Sequence, residues 1–254
     1  MLYKELNTIN TLFYENSSAL KGFISKGTEL LKVFKTKSLK KFTQRDIEKY
    51  LLYLKRRGNK NSTINAKLAY LSKCLKYHGV TLIIPYQTVK PKHKDIIPAD
   101  NFTELLKTAS EIIEPNKLNE LIQFLNIAYY TGLRASEVLK LNRLHIKKQD
   151  DIYFLSIYDT KNHTSNLIPV NKKLNKTLDN FQEFTLNYKQ LYYELKKLGI
   201  TAHQFRHSFI TRSFENGLSA FTVMRLVNQT SINSTKQYVH LQNKFLADAV
   251  QNTS

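Results

Sequence analysis

Apolar residues recur every three or four positions along much of the chain, which is the spacing of helices that bury one face. The stretch FTQRDIEKYLLYLKRRG, residues 42–58, predicts a helix that ends near Gly58. The stretch NSTINAKLAYLSKCLKYHG, residues 61–79, predicts another that begins near Ser62 or Thr63. The core-facing residues expected in these two helices are Ile47, Tyr50, Leu51, Leu54, Ile64, Leu68, Leu71 and Leu75.

The second half of the chain combines the same helical spacing with one short β pattern. Helices are predicted over 101–114, over 118–130 and from 174 to the end, with breaks at Gly199, at Gly217 and over 228–234. In 150–160 and 165–171, β-branched and aromatic residues alternate or run together around the polar turn KNHT. The predicted fold is therefore mainly α, with a small β-hairpin or sheet.

A proline-rich stretch separates the two halves. PYQTVKPKHKDIIPADN, residues 85–101, contains three prolines and little apolar periodicity. Each proline disfavours helix at the residue before it, so the stretch reads as an extended linker. The predicted organisation is a helical domain over 1–84, a linker over 85–101 and a second domain over 102–254.

Composition adds a strong positive charge to this picture. The 254 residues include 39 Lys and Arg against 20 Asp and Glu, a net charge of +19, and 42% are hydrophobic, enough for a folded core. Gly and Pro number only 7 and 5, too few for the many tight turns of a sandwich or barrel. A basic folded protein is expected to bind a polyanion, either nucleic acid or anionic lipid.

Cysteine usage and the amino terminus bear on the compartment. Cys74 is the one cysteine of the sequence, so it forms neither an internal disulfide nor a thiolate metal site, and a reducing compartment is expected. The first 20 residues lack an unbroken apolar run, and no later run of 18 apolar residues occurs. We therefore expect a cytoplasmic protein without a membrane span.

The positive charge is concentrated near the amino terminus, where residues 1–90 hold 18 basic and 5 acidic side chains. On the two helices predicted there, a cluster of basic residues is placed to contact phosphates along a duplex. An ordinary solvated charged face is the alternative. The cluster consists of Lys55, Arg56, Arg57, Lys60, Lys67 and Lys73.

Two segments of the second half carry candidate chemistry. TGLRASEVLKL, residues 131–141, places Arg134 and Glu137 on one face at the start of a helix, where an arginine can bind phosphate while the glutamate steers it. An ordinary surface ion pair is the alternative.

HQFRHSFITRSF, residues 203–214, puts His203, Arg206, His207 and Ile210 on one helix face and leaves Phe205 and Phe209 for the core. Its His-x-x-x-His spacing also occurs in zinc peptidases. Gln204 stands where their general-base glutamate would be, and the arginine would repel a cation, so no metal is expected.

Taken together, these segments resemble the tyrosine recombinase family, which includes phage integrases and the Xer proteins. The family's TGLRxSE box is similar to Thr131–Glu137, and its HxLRH box is similar to HQFRH with Phe205 for leucine. The family ends in LGHxxxxxTxxYxH. Here the matching positions hold Thr235, Tyr238 and His240, while VNQ replaces LGH and puts Gln229 at the histidine position.

The resemblance implies a mechanism and assigns roles to residues. Tyr238 is the implied nucleophile, Arg134 and Arg206 bind the non-bridging phosphate oxygens, and Lys161 of the hairpin turn is the implied general acid. His203 is the acid–base partner of the tyrosine, and Gln229 donates a hydrogen bond to the phosphate without carrying charge. Glu137 and His207 support the arginines and the phosphate, and no cofactor or metal is implied.

The resemblance also implies partners. The first domain is expected to be a core-binding domain that clamps double-stranded DNA, and the second a catalytic domain. The implied reaction joins the DNA 3′ phosphate to tyrosine and passes through a Holliday junction, within a homotetramer on two duplex sites. A carboxy-terminal segment would dock on a neighbour, and FLADAV, residues 245–250, is the candidate. The need for an accessory protein stays open.

Three other functions compete with this interpretation. Gln229 motivates a recombinase-like DNA-binding protein that has lost cleavage. A type IB topoisomerase-like enzyme would use similar residues without a second duplex. A membrane-surface protein is a third candidate, against which the absence of a basic amphipathic anchor argues.

Overall fold

The computed structural model describes residues 1–14, 20–89, 96–159 and 164–229. The chain divides into two compact units, Met1–Lys92 and His93–Ser254. This division falls inside the predicted linker, although a helix already begins at Ala99, before the linker's predicted end. The domain limits at 84 and 102 stay predictions.

The first unit is helical in its described part. Its elements are α1 (Leu2–Tyr14), α2 (Leu20–Phe34), a 3-10 turn (Leu39–Lys41), α3 (Gln44–Arg56) and α4 (Asn61–Tyr77). The two helices predicted here are confirmed, and Gly58 follows α3 with φ of +67°. All core-facing residues predicted for α3 and α4 are buried except Leu51, which is half-buried.

The start of α3 is fixed by a capping box. The Asp46 carboxylate accepts hydrogen bonds from the Thr43 backbone N–H at 2.7 Å and from the Thr43 hydroxyl at 2.8 Å. Lys37 Nζ lies 2.6 Å from the same oxygen. Burial alone would raise the pKa of Asp46, but the ammonium and the hydrogen bonds outweigh it and lower the pKa.

The second unit is mainly helical around one small sheet. Its helices are α5 (Ala99–Ile112), α6 (Pro115–Thr131), α7 (Ala135–Val138), α8 (Asn175–Asp179), α9 (Tyr188–Lys197), α10 (Ala202–Glu215) and α11 (Ala220–Leu226). Its strands are β1 (Ile146–Gln149), β2 (Ile152–Asp159) and β3 (Thr164–Pro169), and 3-10 turns cover Arg143–His145 and Lys172–Leu174. Within the described ranges, no helix combines the length and apolar character needed to cross a membrane.

The sheet is antiparallel with the order β1-β2-β3, which confirms the predicted hairpin of β2 and β3. Strand β1 was not predicted. Its sequence, IKKQ, has one partly buried residue followed by three exposed ones, so it carries too little alternation to be recognised.

The predicted helical run after residue 174 is interrupted earlier than expected. Residues 180–187 are not helical, and α9 begins only after Asn187, whose side chain caps it by accepting from the N–H groups of Lys189 and Gln190, both at 3.0 Å. The expected breaks at Gly199 and Gly217 are confirmed, since both residues have positive φ.

Helices α6 and α10 pack against each other at the centre of this unit. The aromatic rings of Phe102 and Tyr129 stack at 3.7 Å, and Phe205 meets Phe102 edge-on. The Arg212 guanidinium lies 3.8 Å from the Tyr129 ring centroid and donates to the Tyr129 carbonyl at 2.7 Å. This packing holds the carboxyl end of α6 beside α10, where the candidate site residues lie.

Candidate active site

The predicted Thr-Gly turn is a left-handed helix end. Helix α6 stops at Thr131, and Gly132 adopts φ of +64°. A Cβ at this glycine would lie 2.7 Å from Phe209 Cδ1 on α10, so a larger residue is excluded by contact as well as by backbone conformation. The turn brings Arg134 to the amino end of α7.

Arg134 caps α7 instead of lying within a long helix. Its Nη1 donates to Glu137 Oε1 at 2.9 Å, and its backbone N–H donates to Glu137 Oε2 at 2.7 Å. The same Nη1 also donates to the Asn228 carbonyl at 3.0 Å. Glu137 thus contacts both the backbone and the guanidinium of Arg134, whose side chain is 44% exposed, and the steering role stays a prediction.

Arg206 lies on α10 and is only 6% exposed. Its Nη1 donates to the carbonyls of Gly132 at 3.0 Å and of Val227 at 2.6 Å. Its Nη2 donates to Gln229 Oε1 at 3.0 Å. The buried guanidinium therefore ties the turn after α6 to the chain that follows α11.

Residues 227–229, here called the acceptor segment, receive hydrogen bonds from both arginines. Val227 and Gln229 accept from Arg206, and Asn228 accepts from Arg134. The segment continues from the end of α11, and the Gln229 N–H donates to the Met224 carbonyl at 2.9 Å. Two arginines that are 72 positions apart in the sequence thus converge on three consecutive residues.

His203 and His207 flank Arg206 in the sequence of α10, with their ring centroids 5.8 Å apart. His203 is exposed, and His207 is half-buried. His203 and Arg134 both line a pocket of about 420 Å³, together with Tyr188, Tyr192 and residues at the start of α10.

Two details of α10 differ from expectation or add to it. Ile210 does not share the outward face predicted for it, because it packs in a small apolar cluster with Phe214, Val223 and Val227. Gln204 caps the helix through a 2.6 Å hydrogen bond from the Thr201 N–H to its Oε1.

Among the described residues, no group of three His, Cys, Asp or Glu is arranged to hold a metal ion.

Sequence reasoning missed two asparagines of this site. Asn228 is 5% exposed and donates through Nδ2 to Glu137 Oε1 at 3.3 Å. Asn166 of β3 donates through Nδ2 to Asn228 Oδ1 at 2.6 Å. Asn228 could have been noticed as the replacement for glycine in the family's LGH pattern, but Asn166 has no comparable sequence signal.

Several predicted site residues lie outside the described residues. They are Lys161, Thr235, Tyr238, His240 and the segment 245–250. The structure therefore brings together Arg134, Glu137, Arg206 and Gln229, with His203 sharing a pocket with Arg134.

The predicted DNA-contacting cluster belongs to the first unit, at the end of α3 and along α4. Its exposed members are Lys55, Arg56, Arg57, Lys60 and Lys73. Lys67 is more buried, forms a close ion pair with Glu29, and donates to Asn59 Oδ1 at 2.9 Å. Arg57 also approaches Glu29, at 3.7 Å, so one carboxylate holds two members of the cluster.

Residues 179–244 match the model of the phage integrase family. Tyrosine recombinase XerA of Pyrococcus furiosus is 26% identical over 235 residues, which cover 82% of this chain and 80% of the relative. Tyrosine recombinase XerC of Staphylococcus aureus is 26% identical over 245 residues, with the same coverage.

Solved structures of similar fold include the XerH site-specific recombinase bound to its difH substrate, in the pre-cleavage complex. It has a TM-score of 0.70 at 17% identity and covers 98% of this chain and 84% of its own. A lambda integrase dimer bound to a COC' core site has a TM-score of 0.70 at 16% identity, covering 93% and 76%. The matched segment, the two relatives and the common fold together make the chain similar to members of the tyrosine recombinase, or phage integrase, family.

Proposed function

We propose that the protein is a site-specific recombinase that cleaves and rejoins double-stranded DNA through a covalent bond to Tyr238. The observation that carries this proposal is the convergence of Arg134 and Arg206 on the acceptor segment. Two guanidinium groups held by one short segment are a suitable cradle for a phosphodiester that gains negative charge during displacement.

The proposed division of labour follows from the hydrogen bonds of each arginine. Arg206 Nη1 uses both of its hydrogens on the carbonyls of Gly132 and Val227, and Nη2 donates to Gln229, so we propose that the guanidinium binds a phosphate oxygen while these contacts hold it in place. Arg134 is more exposed and is oriented by Glu137, so its guanidinium is assigned to the second non-bridging oxygen.

The remaining roles are assigned from the family resemblance. The Tyr238 phenol, whose unperturbed pKa is about 10, attacks phosphorus as His203 accepts its proton. Lys161 donates a proton to the departing 5′ oxygen, and the product is a 3′-phosphotyrosyl link. Gln229 donates through its amide nitrogen while its oxygen accepts from Arg206, and His207 supports the phosphate.

Strand exchange would follow by attack of a 5′ hydroxyl from the second duplex on this link, through a Holliday junction. We propose a homotetramer on two DNA sites as the active assembly. The first unit, with Lys55, Arg56, Arg57, Lys60, Lys67 and Lys73, is proposed as the core-binding domain, and the second as the catalytic domain.

The test is covalent trapping on nicked, labelled duplexes taken from DNA that flanks the gene. We expect a labelled adduct on a denaturing gel, its loss in Tyr238→Phe, and its retention in the matched control Tyr193→Phe, an exposed tyrosine of α9. Specific binding of the same duplex without any adduct would instead support a DNA-binding protein that has lost cleavage. Relaxation of a supercoiled plasmid without strand exchange would support a topoisomerase-like enzyme.

A further inference from the structure

Asn228, in the acceptor segment, has an unusual backbone conformation for a residue with a side chain. Its φ is +48°, in the left-handed region that favours glycine and that asparagine tolerates better than most residues. In the family's LGH pattern, this position is glycine. Glycine would adopt this backbone conformation with less strain, so the asparagine side chain is present despite the backbone preference.

Both polar atoms of the Asn228 side chain have hydrogen-bond partners, and the residue is almost entirely buried. Its Nδ2 faces Glu137 Oε1 at 3.3 Å, and its Oδ1 accepts from Asn166 Nδ2 at 2.6 Å. A carboxylate can only accept, so the orientation of the Asn228 amide is fixed by its partners. Buried amides generally need such partners, and here both come from the candidate site and the adjoining strand.

These bonds hold Arg134 in two ways. The Asn228 carbonyl accepts directly from Arg134 Nη1, and the Asn228 amide donates to the carboxylate oxygen that accepts from the same Nη1. Glu137 is thus fixed by the Arg134 backbone, the Arg134 guanidinium and the Asn228 amide. Glycine at this position would keep only the direct carbonyl contact.

We propose that Asn228 is a positioning residue that, braced by Asn166 of β3, fixes the Glu137 carboxylate and thereby the direction of the Arg134 guanidinium. The catalytic consequence of this arrangement rests on the proposed function. The positioning itself is a property of the free protein and can be measured without DNA cleavage.

The first experiment observes the Arg134 side chain by NMR in the full chain labelled with ¹⁵N-arginine, with its signal assigned through Arg134→Lys. In Asn228→Gly, which keeps the backbone conformation accessible, we expect faster rotation about the Arg134 Nε–Cζ bond and an unchanged Arg206 signal. The matched control is Asp150→Gly, which replaces an exposed residue with φ of +47° and should leave Arg134 unaffected.

Unchanged Arg134 rotation in a folded Asn228→Gly protein would overturn the proposal. Should that variant not fold, Asn166→Ala gives the same test, because it removes the brace and leaves residue 228 intact. We expect it to speed Arg134 rotation less than Asn228→Gly does, and no change at all would again overturn the proposal.

The second experiment measures adduct formation under single-turnover conditions. Loss of a hydrogen bond to a charged group predicts a fall of about tenfold in the rate for Asn228→Gly. DNA affinity should be unchanged, and adding Asn166→Ala should cause little further loss, because both changes break one network. If the unmodified protein forms no adduct, the proposed function fails while the NMR result still decides the positioning role. An unchanged rate in Asn228→Gly would contradict the catalytic consequence.

Discussion

The guanidinium of Arg206 satisfies acceptors from two distant parts of the chain while it is almost wholly buried. The HQFRH spacing, through its resemblance to a recombinase motif, predicts that this arginine binds phosphate, and that role stays a proposal. Its carbonyl partners, Gly132 and Val227, were not predictable, because every residue has a backbone carbonyl and the residue type does not show which one accepts. The same holds for Asn166, whose importance depends on a hydrogen bond to a residue 62 positions away.

Arg206→Lys tests whether the planar guanidinium is required. A lysine ammonium cannot meet the three acceptors in the same geometry, so at least one buried carbonyl loses its donor, at a cost of about 1–3 kcal/mol. Adduct formation should fall by about 100-fold or more. Urea unfolding and the trapping assay measure the two effects.

The matched control for Arg206→Lys is Arg225→Lys, at an exposed arginine of α11. It should change stability by no more than about 0.5 kcal/mol. Wild-type stability and cleavage in Arg206→Lys would contradict the importance assigned to this arginine.

At the scale of elements, local sequence signals decided how much could be predicted. Helices α3 and α4 have apolar residues at helical spacing and were predicted, although the predicted core residue Leu51 is only half-buried and the buried Tyr70 and Cys74 were not predicted. Strand β1 has no alternation, and the non-helical residues 180–187 before the Asn187 cap contain no glycine or proline, so neither was predicted.

Two glycines with positive φ, one after α6 and one after α9, allow a prediction about the stability cost of adding a side chain. Gly132 and Gly199 have similar φ values of +64° and +69°, but only a Cβ at Gly132 meets a neighbour, Phe209, at 2.7 Å. Gly199→Ala should cost about 1–2 kcal/mol from backbone strain alone. Gly132→Ala should cost about 1–3 kcal/mol more because of the clash with Phe209. Equal losses in thermal unfolding would show that Phe209 moves aside freely.

The cap of α3 predicts a pH dependence. The pKa of Asp46 is lowered in the folded state from an ordinary value of 3.8, so its contribution to stability is present above about pH 4 and is lost as the pH falls through the folded-state pKa. Asp46→Asn should lower the free energy of unfolding by about 1 kcal/mol near neutral pH. The difference from the unmodified protein should shrink toward pH 2, and a constant difference in urea unfolding would argue against this ion pair.

At the scale of the whole molecule, the net charge of +19 indicated a polyanionic partner before any motif was considered. Charge alone could not separate nucleic acid from lipid, and it could not show that Glu29 engages Lys67 and Arg57. Ion pairs between separate helices depend on how the helices pack, which cannot be predicted from the amino-acid composition.

Salt dependence tests the proposed DNA-binding surface. Replacing Lys55, Arg56 and Lys60 by glutamine should weaken DNA binding and reduce the slope of log affinity against log salt by about 0.9 for each phosphate that is no longer neutralised. The control replaces Lys4, Lys21 and Lys32, which are equally charged and lie on α1 and α2. Identical slopes for the two triple variants in a binding titration would show that charge acts without a defined surface.

The small apolar cluster beneath α11 has a practical consequence. Ile210, Phe214, Val223 and Val227 pack apart from the main core of their unit, and α11 has seven residues. Elements that bury little area open locally before the whole protein unfolds. Because residues 227–229 accept hydrogen bonds from both Arg134 and Arg206, one such opening would remove these contacts of both arginines together. Val223→Ala should therefore make the proposed DNA cleavage temperature-sensitive, so that adduct formation is lost on warming and restored on cooling, as in a switch set by temperature.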